Sequence, residues 1–196
     1  SMRVPDKLAQ AVLMFEDQYF YSHFGVNPIS SIRALTQNIS SGKITSGSST
    51  ITMQVARMDK LHERTYFNKL LEVLKAIKIE AQYSKKEILS MYLNHAPYGG
   101  NIIGYQAASL KYFLKNPDQL SWAEAATFAV LPNAPALISP SKNPDLLLKK
   151  RNRLLKKLHE AGALKKETYE LALLEEIPRT TYPFEQSAHH LTARLR

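Results

Sequence analysis

Two carboxylates, Glu16 and Asp17, stand side by side at the end of an apolar helical face, and His23 follows them past the aromatic run Tyr19-Phe20-Tyr21. An acid at the rim of an apolar cleft tends to have a shifted pKa, and sugar chemistry commonly uses such a carboxylate as general acid or base. In isolation the same pattern also describes a helix end whose polar residues merely cap and solvate. Further on, Lys69 and Glu72 are three residues apart and share one helix face. Alone, such a pair is an ordinary surface ion pair worth a few tenths of a kcal/mol. Between these groups the Ser- and Gly-rich stretch from Ser40 to Ser49 has the composition of a mobile loop, which fits a substrate lid. The helix that starts near Thr50 would offer its first backbone N–H groups to a phosphate approaching from that loop.

The elements that must position these groups are helical. Leu8, Val12, Phe15 and Tyr19 fall at helical spacing, so a first helix from about Pro5 carries Glu16 near its C-terminal end. A loop spans 20–28, and a second helix from about Pro28 to Ser40 is capped by Asn27 and turns Ile29, Ile32, Leu35 and Ile39 inward. After Thr65 a long helix runs to about Tyr83, with Leu70, Val73, Leu74, Ile77 and Ala81 on one face. Ser84-Lys85-Lys86-Glu87 and Ser121-Trp122-Ala123-Glu124 read as capping boxes, the second opening the alanine-rich Ala125–Val130 at the buried centre. Leu131-Pro132-Asn133-Ala134-Pro135 stops that helix. A helix from Asn143-Pro144 to about Ala161 faces Leu147, Leu154, Leu155 and Leu158 inward. It turns Lys149, Lys150, Arg151, Arg153, Lys156 and Lys157 outward as a solvated face, not a nucleic-acid patch. A short helix near Lys166–Glu175 follows. With no internal repeat and no convincing pair of strands, the chain is expected to be mainly α.

The 196 residues, 44% of them hydrophobic, suffice for one core. Ten Tyr, seven Phe and only seven Gly argue against disorder. A net charge of +9 favours an anionic partner, such as a bilayer surface or a pyrophosphate-bearing substrate. The absence of cysteine excludes disulfide and thiolate chemistry. No segment approaches the roughly 18–20 apolar residues that span a bilayer.

The run from Glu16 to Gly25 reads E-D-x-x-F-x-x-H-x-G without a break, and Gly42 to Gln54 follows G-x-x-x-x-G-G-S-T-I-T-Q-Q with Ser48 and Met53 as departures. Asn68-Lys69-Leu70-Leu71-Glu72 follows R-K-x-x-E with Asn68 in place of Arg, and Glu87 to Asn94 matches E-I-L-x-x-Y-L-N. In this order and spacing the chain resembles the peptidoglycan glycosyltransferases of glycosyltransferase family 51. Ser49–Arg57 and Ala96–Gly100 look most like the penicillin-binding proteins of the 1C kind. The resemblance implies a lysozyme-like, mainly α domain with a cleft and a small mobile jaw that faces the membrane. It also implies a domain over 1–183, with 184–196 opening a linker toward a further domain. Ser1-Met2 looks like a cloning scar, and the membrane anchor usual in the family lies outside this chain.

The implied reaction polymerises lipid II at the outer face of a bacterial cytoplasmic membrane. A C4 hydroxyl attacks an anomeric carbon, undecaprenyl pyrophosphate leaves, and the α-linked donor is inverted to a β-1,4 product. By carry-over Glu16 takes the hydroxyl proton and Asp17 positions. Lys69 and Glu72 serve the leaving group, with Glu72 counted beside Glu16 as catalytic. Ser49, Thr50 and Gln54 contact the sugar pyrophosphate, and Lys43 adds charge from the loop. His23 orders the loop around Glu16, and Asn94 ties a helix end to the cleft. No cofactor is required, although a Mg²⁺ or Mn²⁺ ion held by Glu72 is compatible with pyrophosphate chemistry. Phe20, Tyr21, Phe24, Ile29 and Ile44 are expected on a membrane-facing jaw. The expected partners are lipid II, the growing glycan strand, the membrane surface and other wall-synthesis proteins, not nucleic acid. The rival readings are lysozyme-like or lytic cleavage of peptidoglycan, and a degenerate module that binds lipid II or a polyanion without catalysis.

Overall fold

The computed structural model describes residues 4–28, 49–58, 65–133, 140 and 142–182. Among them are eight α-helices: α1 (Asp6–Glu16), α2 (Ile51–Met58), α3 (Tyr66–Gln82), α4 (Lys85–His95), α5 (Tyr105–Phe113), α6 (Trp122–Val130), α7 (Pro144–Glu160) and α8 (Lys166–Leu174). Short 3-10 turns occupy Phe20–Ser22, Pro117–Gln119 and Leu131–Asn133. No strand forms among the described residues, where Pro97 and Ile103 make an isolated bridge. The fold is therefore mainly α, as the periodicity implies. The expected helix over 28–40, the loop over 40–49 and the linker over 184–196 lie outside the described residues, apart from Pro28 and Ser49.

The core is built on α6, whose residues from Ala123 to Val130 are all buried. Its alanines at 123, 125, 126 and 129 present little side-chain bulk, so α1 and α7 close directly onto it. α1 contributes Leu8, Ala11 and Val12 to this packing, and α7 contributes Leu147, Leu154, Leu155 and Leu158. α2 packs between α3 and α4, which joins a second, smaller apolar cluster of Met53, Ala56 and Ala76 to the main core. Both expected capping boxes form: Ser84 with Glu87 opens α4, and Ser121 with Glu124 opens α6.

Two expectations are corrected. Arg151, read as part of the outward cationic face of α7, is fully buried at 0% exposure. Its Nη1 donates to the Glu175 carbonyl at 2.6 Å and its Nε to Asn152 Oδ1 at 3.0 Å, so the guanidinium holds the C-terminal end of α8, whose last carbonyls have no helical partner. The apolar stripe of α3 is turned away from the core. Leu70 and Leu74 are each 56% exposed, and the buried residue of this helix is Ala76. α3 meets α2 through Val73, Ala76 and Ile79, packed on Met53 and Ala56, with Glu80 accepting from the Thr52 hydroxyl beside them.

Candidate active site

The site begins where α1 ends. Glu16 is the last residue of that helix, and Asp17 caps it. Asp17 is buried, and its carboxylate serves two neighbours at once. Oδ2 accepts from the Ile51 backbone N–H at 3.1 Å, and both oxygens lie 3.0 Å from His23 Nε2. The positive end of α2 is thus occupied by a protein carboxylate. The Ile51 N–H at the start of α2, where a phosphate was expected, goes to Asp17, and the same carboxylate links the end of α1 to His23.

Thr50 is also spent on structure. Its hydroxyl donates to the Gly25 carbonyl at 2.6 Å and accepts from the Met53 N–H at 3.1 Å, which makes it the cap of α2. Its buried hydroxyl is given to these two backbone partners, where the carry-over had Thr50 on the sugar pyrophosphate. Gly25 explains the close passage of this loop. Its φ is +80°, and a Cβ there would lie 3.1 Å from the Ala76 carbonyl group of α3. Lys85 finishes the scaffold by donating to Glu80 Oε1 at 2.6 Å and to the His23 carbonyl at 2.7 Å, while Thr52 donates to the same Glu80 oxygen at 2.5 Å.

Glu16 is set within this frame. Gln54, one turn into α2, donates from Nε2 to Glu16 Oε2 at 2.7 Å. Among the described residues, Oε1 is buried and has no hydrogen-bond partner. Burial pushes the carboxyl above its ordinary value, with the Asp17 charge adding to the rise, while the side-chain amides of Gln54 and Asn133 and the Lys150 charge hold it back. Tyr92 of α4 brings a buried hydroxyl, also unpartnered within the protein, into electrostatic reach of Glu16. Gln54 therefore addresses the base, where the carry-over had it on the substrate.

A second cluster lies across α2. Lys69 of α3 donates to Ser49 Oγ at 2.8 Å and to Glu72 Oε1 at 3.0 Å. The lysine is 40% exposed and the carboxylate 11%, so the ammonium is offered outward while Glu72 backs it. The cation is open to an anionic group; Lys69 and Glu72 share a helix face as their spacing implies, and Ser49 joins them. Among the described residues no group of three or more Asp, Glu or His side chains could hold a metal ion. Glu72 already faces an ammonium, so its surroundings do not fit a divalent cation.

Other placements differ from expectation. Asn94 folds back on its own helix, donating to the Ser90 carbonyl at 2.8 Å, and does not tie α4 to the cleft. Phe20, expected on the membrane-facing jaw, is 1% exposed and lies under the Lys85 ammonium, 4.4 Å from its ring centroid. Tyr21 and Phe24 are exposed. Lys43, Ile29 and Ile44 lie outside the described residues. Sequence reasoning missed Asn133 and Lys150 as neighbours of Glu16. The only signal for Asn133 was the proline-flanked turn after α6, and Lys150 was hidden in a run of cations.

With this geometry in hand, the chain can be set beside known proteins. The helical frame holds a partly buried acid at the end of α1 and an outward cation backed by Glu72. A family model described as Transglycosylase matches residues 1–159. The chain belongs to that family. It is 42% identical over 164 residues to penicillin-binding protein 1C of Escherichia coli, covering 84% of this chain and 21% of that protein. It is 40% identical over 172 residues to penicillin-binding protein 1A of Aquifex aeolicus, covering 87% and 24% respectively. A putative transglycosylase of Cupriavidus necator is 40% identical over 174 residues, covering 88% and 75%. Among solved structures, penicillin-binding protein 1A of Haemophilus influenzae aligns with a TM-score of 0.47 at 26% identity, over 74% of this chain and 19% of that one. The chain thus spans between a fifth and a quarter of the first two relatives.

Proposed function

We propose that this domain polymerises lipid II into glycan strands by inverting glycosyl transfer, with Glu16 as the general base. The observation that carries the reading is the Glu16 carboxylate itself, one oxygen held by Gln54 and the other buried and unpartnered. An acceptor C4 hydroxyl that donates to Oε1 satisfies that atom. As the C4 oxygen bonds to the donor's anomeric carbon, its proton passes to Glu16 and the bond from that carbon to the pyrophosphate oxygen breaks. Burial makes the carboxylate more basic than an exposed one, which suits proton abstraction from a weakly acidic hydroxyl. The charge that grows on the leaving pyrophosphate is met by Lys69, held in place by Ser49 and Glu72. A lytic enzyme acting on polymer would have little use for that cation. No step here requires a metal.

The membrane belongs to the same proposal. Exposed apolar side chains on α3 and at Tyr21 and Phe24 are suited to the bilayer in which the lipid tail of the substrate resides, which supports a reading of the domain as working against the outer face of the cytoplasmic membrane.

The test is polymerisation of labelled lipid II in detergent, resolved by chain length. The wild-type chain should yield a ladder, and Glu16→Gln should lose about 10²- to 10⁴-fold in rate while still binding substrate. A ladder of undiminished intensity from Glu16→Gln would remove Glu16 as the base. Cleavage of preformed strands in place of a ladder would favour the lytic reading.

A further inference from the structure

Glu80 stands near the end of α3, and its carboxylate is 3% exposed. One oxygen, Oε1, takes a donor from each of two other helices: the Lys85 ammonium at the start of α4 at 2.6 Å, and the Thr52 hydroxyl of α2 at 2.5 Å. Lys85 also donates to the His23 carbonyl at 2.7 Å. His23 turns Nε2 to the Asp17 carboxylate at 3.0 Å, and Asp17 accepts at 3.1 Å from the N–H of Ile51, the residue before Thr52. These contacts close into a ring that runs through Glu80, Lys85, His23, Asp17, Ile51 and Thr52 and returns to Glu80. A Cβ at Gly25 would lie 3.2 Å from Glu80 Cγ, so the loop after α1 closes directly onto the stem of this carboxylate.

The ring decides how α2 is turned. Thr50 and the Ile51 N–H hold the start of that helix, and a helix pinned at its start can still turn about its axis. Successive residues of a helix are about 100° apart, so Thr52 and Gln54 point to opposite sides of α2. With Thr52 held by Glu80 on the α3 side, Gln54 is turned to the other side, where its Nε2 meets Glu16 Oε2 at 2.7 Å.

We propose that Glu80 is a positioning residue for Glu16: by holding Thr52 it sets the rotation of α2, keeps Gln54 on one oxygen of the base and leaves Oε1 for the acceptor hydroxyl. The inference rests on the reading of Glu16 as the base. Glu80 acts through Thr52 and Gln54 and not on the substrate. Its charge is matched by Lys85, so removing either partner alone would leave a charge buried without its counterpart. Thr52 is therefore the place to cut the link, since its loss leaves the ion pair whole.

The experiment follows the Gln54 side-chain amide by nitrogen-15 NMR, the signal being assigned by its loss in Gln54→Leu, with kcat and KM for lipid II polymerisation measured in parallel. Thr52→Val keeps the branched shape and removes the donor. It should move the Gln54 signal toward that of a free amide and lower kcat about 10- to 100-fold, with KM little changed. Thr52→Ser keeps the donor and should restore both. Glu80→Leu combined with Lys85→Met removes the acceptor and both charges together, and should reproduce Thr52→Val. Arg151→Met, outside the ring, should lower stability and leave the Gln54 signal and kcat at wild-type values, which separates positioning from a general loosening of the fold. A Gln54 signal in Thr52→Val that superimposes on wild type would overturn the proposal. So would a kcat loss that Thr52→Ser does not restore. Should the Gln54 signal shift as expected while Glu16→Gln polymerises at the wild-type rate, the positioning stands and the assignment of Glu16 as base falls.

Discussion

Burial disfavours the charged form of Glu16 that the role of base requires, and that conflict has a measurable signature. Its folded-state pKa is raised above the ordinary 4.5, chiefly by burial. Below that ordinary value both folded and unfolded chains hold the proton and the residue costs nothing. As pH rises through the raised value the unfolded chain releases the proton more readily, so folding loses stability and the penalty persists at neutral pH. Glu16→Gln is therefore expected to raise Tm near pH 7.5, with the gain fading as pH falls below about 4.5; calorimetry across pH gives the curve. A Tm for the Gln variant at or below wild type at neutral pH would mean that the carboxylate is better solvated than its burial implies. Thr50 makes the opposite case. Its hydroxyl caps α2 and ties down Gly25, so Thr50→Val should cost about 1–2 kcal/mol of stability and leave KM for lipid II near the wild-type value. A large rise in KM without loss of stability would return Thr50 to the substrate.

At the scale of helices, whatever was local in origin was legible and whatever depended on a distant partner was not. The capping boxes at Ser84 and Ser121 are set by residues three apart, and both appear as read. The burial of α6 follows from its alanines, whereas the apolar spacing of α1 runs on to Tyr19 although the helix ends at Glu16. Arg151 was misread because an amphipathic pattern assigns every cation to solvent, and only the C-terminal end of α8, more than twenty residues later in the chain, supplies the carbonyl that draws it inward. Asn133 carried no signal at all beyond its turn. Arg151→Met, which keeps much of the side-chain volume and removes the donors, should cost about 1–3 kcal/mol, read as a lowered urea midpoint at unchanged slope. A midpoint equal to wild type would show that the carbonyl of Glu175 finds water once the guanidinium is gone.

At the scale of the molecule, among the described residues, α3 carries an apolar face that the core does not use. Phe67, Leu70, Leu74 and Ile77 follow one another along it, and Gly25, just after the exposed Tyr21 and Phe24, passes the same helix at its buried Ala76. The exposed Lys75 and Lys78 stand on that helix too, where they can meet anionic headgroups. The apolar residues of α3 were read as an ordinary helical stripe, because periodicity reports that a face is apolar and not what it meets. Leu70→Ser with Leu74→Ser should weaken binding to vesicles containing anionic lipid by at least about tenfold, with secondary structure intact by circular dichroism. Binding equal to wild type would remove α3 from the membrane contact.

The unpartnered oxygen of Glu16 also has a pharmacological meaning. Asp17, Thr50, Gln54 and Lys85 have already found partners within the protein, so a small molecule gains little by competing for them. A compound that places one donor, a hydroxyl or an amide N–H, on Oε1 satisfies a sealed acceptor, worth about 1–3 kcal/mol, roughly ten- to a hundredfold in Kd. Pairs of analogues that differ only in that donor should separate by this factor against the wild-type domain, which makes the idle lone pair of the base the atom around which an inhibitor is best built.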